Sequence, residues 1–187
     1  MRHIVLASQS PRRQELLRRE GIDFTVDASF IDEILDESLT LEKRLEKLAV
    51  DKGMDVAKRH PDDIIISADT TVYHNHTIIG KANDSSEARD ILMSLSDTCH
   101  SVFTSVAIID HDDVLTFVDE TKVYFKPMDD YIDDYLESKN WVGKAGAYGI
   151  QDDNCFFIDH IEGDFDNVVG LPVTRLIKIL KERHYID

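Results

Sequence analysis

Ile4-Val5-Leu6-Ala7-Ser8-Gln9-Ser10-Pro11-Arg12-Arg13-Gln14-Glu15-Leu16-Leu17 is the stretch on which the fold turns. Ile4 to Ala7 is a short apolar run and reads as a buried strand. Ser10 is a good N-cap, and Pro11 follows at the first helical position, where its missing N–H costs nothing. A strand therefore feeds a helix N-terminus. Arg12 and Arg13 fall in the first turn, the wrong end of a helix for cations, because the free N–H groups and the dipole there favour negative charge. An anion resolves that conflict. Serine hydroxyls, free N–H groups and guanidinium forks converge on one small volume, and phosphate fits all three. The alternative is a surface arginine pair beside an ordinary cap.

Leu16 and Leu17 supply the apolar face of this helix, and Gly21 is its C′ stop. Ile22 to Val26 reads as a second strand. An acidic connector follows, with Asp27, Asp32, Glu33, Asp36 and Glu37. Physics alone does not set Glu33 apart from its neighbours. Thr40 caps a helix expected over residues 41–59, with Leu41, Leu45, Leu48, Ala49 and Val56 as its apolar stripe. Lys52 lies on that stripe. Its ammonium either snorkels to water or faces an anion, since the side-chain stem permits both. Gly53 weakens the helix interior and permits close packing.

Pro61-Asp62-Asp63 breaks the helix. Ile64-Ile65-Ile66 is then a wholly apolar strand, which suggests a central position in the sheet. Asp69 stands at its carboxyl end, where ligands collect in α/β sheets; capping a turn is the competing role. The chain continues through Val72-Tyr73, turns at Asn75-His76, returns through Ile78-Ile79 and reaches Gly80-Lys81. Asp84 and Glu87 have capping-box spacing ahead of a packing helix. Residues 102–109 form a mostly buried strand, and residues 114–125 return antiparallel to it, interrupted by Asp119, Glu120, Thr121 and Lys122. Those polar groups are surface pairs or line a cleft. A helix is expected over 129–137 and a strand over 155–161. A turn-rich connection is expected over 163–172, and a closing helix over 174–180. Between the last two helices, Val142 to Gln151 is rich in glycine and implies tight turns or close backbone approach. It is not a Walker loop, because the Gly-Lys-Ser/Thr ending is absent.

Composition bounds the function. The 187 residues are 42% hydrophobic and can bury a real core. With 37 acidic against 21 basic residues and a formal net charge of -16, a nucleic-acid surface is disfavoured. Such a chain holds a polyanion only by concentrating a few cations and a metal locally. Cys99 and Cys155 read as reduced and buried, with no zinc or disulfide spacing. No signal-peptide pattern or membrane-length apolar run is seen, so no membrane role is expected and the cytoplasm is the default location. Short turns double the chain back twice, so a mixed α/β sheet with antiparallel hairpins is expected rather than a pure doubly wound one.

Ala7-Ser8-Gln9-Ser10-Pro11-Arg12-Arg13, Ala68-Asp69-Thr70, Gly80-Lys81, Lys144-Ala145-Gly146-Ala147-Tyr148-Gly149-Ile150-Gln151 and Val169-Gly170-Leu171-Pro172 together resemble the Maf-like nucleoside triphosphate pyrophosphatases, end to end and in order. The resemblance implies one domain over residues 1–187, with a strongly twisted mixed sheet, flanking helices and two lobes around a cleft, as in the inosine triphosphatases. It implies hydrolysis of a nucleoside triphosphate to the monophosphate and pyrophosphate, with a divalent cation, Mg2+ or Mn2+, and a homodimer. The catalytic acid maps to Asp69, and the phosphate and metal surroundings map to Ser8, Arg12, Arg13, Glu33, Lys52 and Lys81. Glu33 and Asp69 are the expected metal ligands. Thr70 and the Ala147 to Gln151 segment resemble the dTTP/UTP branch, in which Arg12, Thr70 and Gln151 map onto base selection. The alternatives are a 7-methyl-GTP or modified-nucleotide pyrophosphatase, and a non-catalytic nucleotide-binding regulator of cell division. Two departures stand out: Ala82 where the family usually has proline after Gly-Lys, and Asp97 where it often has glycine after Leu-Ser.

Overall fold

β3, Ile64–His74, carries Asp69 and runs through the middle of the sheet. Ile64, Ile65 and Ile66 are fully buried, as a continuous apolar run requires of a strand covered on both faces. In this computed structural model, which describes residues 2–187, the strand passes the expected exit at Asp69 and continues to His74. Asp69 is thus a residue within a strand, and the turn-capping role falls away.

Among the described residues, seven strands form one open, mixed sheet. β1 (Ile4–Leu6) lies between β2 (Thr25–Val26) and β3, parallel to both, and β4 (Thr77–Ile79) pairs antiparallel with β3. The order continues from β3 to β5 (Cys99–Asp110), β6 (Asp113–Phe125) and β7 (Ile158–Glu162). The expected second strand over 22–26 shrinks to Thr25 and Val26, both exposed, because an edge position gives it little to bury. The Asn75-His76 turn has φ of 47° and 60°, the two positive values that a two-residue hairpin needs to match strand twist.

The helices are α1 (Pro11–Arg19), α2 (Leu41–Ala57), α3 (Ser85–Leu95), α4 (Ile132–Ser138), α5 (Phe165–Val169) and α6 (Val173–Glu182). α1 ends in a Schellman pair, Gly21 N–H to Arg18 O at 3.0 Å and Ile22 N–H to Leu17 O at 3.2 Å. α3 starts on Asp84, whose carboxylate accepts the Glu87 N–H at 2.8 Å. α4 starts three residues later than expected, and α5 occupies part of the stretch expected as a turn-rich connection. Among the described residues, no helix is long and apolar enough to cross a membrane.

The chain divides into two compact units. The first comprises residues 1–69, 104–119 and 170–187; the second comprises 70–103 and 120–169. The first unit contains the cluster of Val5, Ala7, Val56, Ile65 and Ile109. The second has an aromatic core in which Phe125 meets Tyr148 and Phe157 edge to face, each at 4.9 Å, and Tyr135 meets Phe157 at 5.0 Å. Tyr135 therefore packs into this core. Asp97 takes a left-handed φ of 53°, a conformation that glycine adopts freely and aspartate tolerates better than most residues. The departure at this position preserves the turn. Cys99 and Cys155 are both free, as expected, but only half-buried.

His100 is buried in the second unit, with Nε2 2.7 Å from the Tyr148 hydroxyl. Burial, aided by His74, pulls its pKa down to about 3. Unfolding exposes the ring, which then takes up a proton below the ordinary value of 6.5. Stability supplied by neutral His100 is thus complete above pH 6.5 and is lost on acidification toward pH 3, at about 1.4 kcal/mol per pH unit. Urea denaturation from pH 8 to pH 5 should show wild type losing stability faster than His100→Gln. Parallel pH profiles would refute a neutral buried His100.

Candidate active site

The first unit builds its site on the β1–α1 junction. Ser8 Oγ accepts the Ser10 N–H at 3.2 Å, and Ser10 Oγ accepts the Arg13 N–H at 3.5 Å, so Ser10 is the N-cap the sequence announces. The Arg13 side chain folds back over this turn. Its Nη1 donates to Ser8 Oγ at 3.2 Å, and its Nε donates to the Gly170 carbonyl at 2.7 Å. Desolvation lowers the Arg13 pKa, opposed by Asp69; neighbouring Arg12 lowers it further and Glu33 opposes. The two carboxylates and the two arginines thus act on one region. α1 has no acid in its first turn to neutralise these cations.

α2 supplies the third cation. Gly53 lies where this helix crosses β3 and β5: a Cβ there would stand 2.6 Å from Ile109 Cδ1 and 2.8 Å from Ser67 Oγ. Only a bare backbone lets the helix come so close. Buried Ser67 Oγ fastens the contact by donating to the Ala49 carbonyl at 2.5 Å. Lys52, one residue before Gly53, is thereby set over β3. Its ammonium lies 2.8 Å from Asp69 Oδ1 and 2.6 Å from Glu33 Oε1. The Lys52 and Asp69 side chains are 13% and 15% exposed, while Glu33 is 60% exposed on its connector. Of the two readings of Lys52, the anion-facing one holds in this geometry, and the anions are carboxylates of the chain itself.

Thr70, Lys81 and Gln151 belong to the second unit. Lys81 is exposed, and its backbone bridges to Ala145, while the Gly146 N–H donates to the Gly80 carbonyl at 3.1 Å. Gly80-Lys81 and Ala145-Gly146, read separately in sequence, are therefore one paired structure. Gln151 is exposed on the turn from Gly149 to Asp152. Thr70 is half-buried in β3 directly after Asp69.

Three features were not legible in the sequence. The Gly170 carbonyl as an Arg13 acceptor has no side-chain signature. Asn167, fully buried, donates Nδ2 to Thr121 Oγ1 at 2.9 Å and to the Val102 carbonyl at 3.2 Å. Lys144 pairs with Asp152, eight residues on, a spacing that carries no helical or strand signal.

Among the described residues, no group of three or more His, Cys, Asp or Glu side chains is placed to hold a metal. Glu33 and Asp69 nonetheless meet at one ammonium and offer hard carboxylate oxygens. That donor set fits Mg2+ or Mn2+, which complete their shells with water and phosphate oxygens rather than with an all-protein cage.

Residues 3–183 match the family described as Maf-like protein. The chain belongs to the Maf-like family. Among its relatives in that family, the dTTP/UTP pyrophosphatase of Halalkalibacterium halodurans is 43% identical over 97% of this chain and 96% of its own. The dTTP/UTP pyrophosphatase of Bacillus cereus (strain ZK / E33L) is 41% identical over the same shares. A HAM1 protein from Coxiella burnetii superposes with a TM-score of 0.51 at 17% identity, covering 97% of this chain and all of that one. The last likeness concerns the fold alone and bears out the mixed α/β architecture expected of this Maf-like chain.

Because Gly53 sets Lys52 over Asp69, Gly53→Val should overpack the helix–sheet contact, costing about 2 kcal/mol and lowering the melting temperature by about 4–8 °C. A melt unchanged from wild type would mean that α2 does not depend on this close approach.

Proposed function

We propose that this chain hydrolyses nucleoside triphosphates, dTTP and UTP foremost, to the nucleoside monophosphate and pyrophosphate. The observation that carries the proposal is the Lys52 ammonium shared by Asp69 and Glu33, in the same unit as the capped arginine turn. The names of its full-length relatives support the substrate class.

Water attacks the α-phosphorus, a new P–O bond forms, and the bond from that phosphorus to the bridging oxygen of pyrophosphate breaks. Asp69 accepts the proton released by the water. Arg12, Arg13, Lys52 and Lys81 offset the charge of the triphosphate and the charge that grows on the leaving pyrophosphate. Ser8 and the α1 N–H groups add short, oriented donors to phosphate oxygens. Glu33 and Asp69 would hold Mg2+ or Mn2+, which would supply Lewis-acid charge neutralisation there. Arg12, Thr70 and Gln151 select the base, with the Gln151 amide able both to donate and to accept at a pyrimidine edge. The chain works as one Maf-like domain, as a homodimer and in the cytoplasm.

Pyrophosphate release should be metal-dependent and strongest for dTTP and UTP across a panel with CTP, dATP, GTP and 7-methyl-GTP. Asp69→Asn should lower it about 10³-fold while the protein stays folded. Full turnover by folded Asp69→Asn would remove Asp69 from the chemistry. Activity chiefly on 7-methyl-GTP would keep the reaction and discard the roles of Thr70 and Gln151.

A further inference from the structure

Gln151 sits at the tip of a loop held by groups that have no part in the chemistry above. The Asp152 N–H donates to the Gly149 carbonyl at 3.0 Å, which makes Ile150 and Gln151 the central residues of a tight turn. The Asp152 side chain then folds back. Its two oxygens accept from Lys144 Nζ at 2.8 and 2.7 Å, and Oδ2 also accepts from the Tyr135 hydroxyl at 2.9 Å. The same Tyr135 oxygen accepts the Gly149 N–H at 3.1 Å, and Cys155 Sγ donates to the Gly149 carbonyl. Both ends of the turn are thus tied to one phenol, anchored in the aromatic core on α4.

The tie is largely shielded from water. Tyr135 is 1% exposed, and the Lys144 and Asp152 side chains are 13% and 12% exposed. Burial raises the Tyr135 pKa far above its ordinary value and pushes Cys155 up to about 12, so both remain protonated donors. The backbone is shaped to the tie as well. A Cβ on Gly149 would lie 2.7 Å from Lys144 Nζ and 2.9 Å from Asp152 Oδ2. Ala147, two residues earlier, is held at φ 60°, a left-handed conformation costing an alanine about 1–2 kcal/mol. Such strain persists where the surroundings over-determine the backbone. A buried ion pair is a poor source of stability, but it is a good source of fixed geometry.

We infer that Lys144, Asp152 and Tyr135 are positioning residues that hold Gln151 for base selection. The inference rests on the reading of Gln151 as the residue that contacts the base. A base-reading amide must be held to within a fraction of an ångström, and an exposed glutamine on a free loop would be mobile in every rotamer. The clasp fixes the backbone from which that amide projects. It leaves the phosphate-binding groups of the other unit untouched.

The test is kcat and KM for dTTP, GTP and a base-free ribose triphosphate, in wild type, Tyr135→Phe, Asp152→Asn and Gln151→Ala. Tyr135→Phe removes one hydroxyl and keeps the ring, and Asp152→Asn stands in for it if that variant does not fold. Either should lower the dTTP-over-GTP preference about tenfold, mainly through KM for dTTP, with the base-free substrate unaffected. Combined with Gln151→Ala, neither should lower the preference further, since the residues act through one another. A preference retained in folded Tyr135→Phe and Asp152→Asn overturns the positioning role, as does an equal loss on all three substrates. A wild type without dTTP preference, or a Gln151→Ala that keeps it, overturns the underlying reading and this inference with it.

Discussion

Lys52 Nζ holds Asp69 at 2.8 Å and Glu33 at 2.6 Å, and much of the first unit serves that contact. Asp69 is delivered by a strand whose isoleucines are buried. Lys52 is delivered by a helix that reaches the sheet only because residue 53 is glycine. Glu33 comes from an exposed connector, whose N-terminal part is tied down by Arg59 to Asp27 at 2.8 Å and by the Phe30 N–H to Asp55 at 3.0 Å. Two carboxylates close together repel, and a half-buried ammonium between them removes that cost. Replacing only one member would leave uncompensated charge, which is why the three are best understood as one unit.

In the proposed function, the same arrangement lets a chain of formal charge -16 favour a polyanion. Long-range charge opposes the approach of a triphosphate, and at physiological ionic strength that opposition is screened over about 8 Å. What counts is the local set. Arg12 and Arg13 stand on a helix N-terminus without an acid in its first turn, and Lys52 offsets one of the two negative charges of Asp69 and Glu33. Arg13 is held at two points, on Ser8 Oγ and the Gly170 carbonyl, so its fork is oriented before any ligand arrives. Pre-oriented donors are worth more to a developing charge than mobile ones, because nothing has to reorganise when the charge forms.

Much of this was legible in the residues. Ser10-Pro11 announced the helix start, Gly21 its end, and the isoleucine run the central strand, because each is a local rule with a local cause. Lys52 was visible as a lysine on an apolar stripe, although the stripe could not say which anion it meets. Glu33 was indistinguishable from Asp32 or Asp36 until the resemblance raised it, since only the path of the connector decides which carboxylate reaches Lys52. The short β2, the late start of α4 and the helix at residues 165–169 escaped for a similar reason: tertiary packing set their limits, not propensity. The burial of His100 was not legible, because a mostly apolar strand does not reveal which of its polar members turns inward. The Asp152 clasp escaped because it joins residues with no periodic spacing.

The proposed reaction turns on attack at the α-phosphorus by water that gives its proton to Asp69. The direct measurement is hydrolysis of dTTP in water enriched with oxygen-18, followed by mass spectrometry of both products. Label in the thymidine monophosphate, with none in pyrophosphate, is the predicted result. Label in pyrophosphate would place the attack on the β-phosphorus and contradict the proposed reaction.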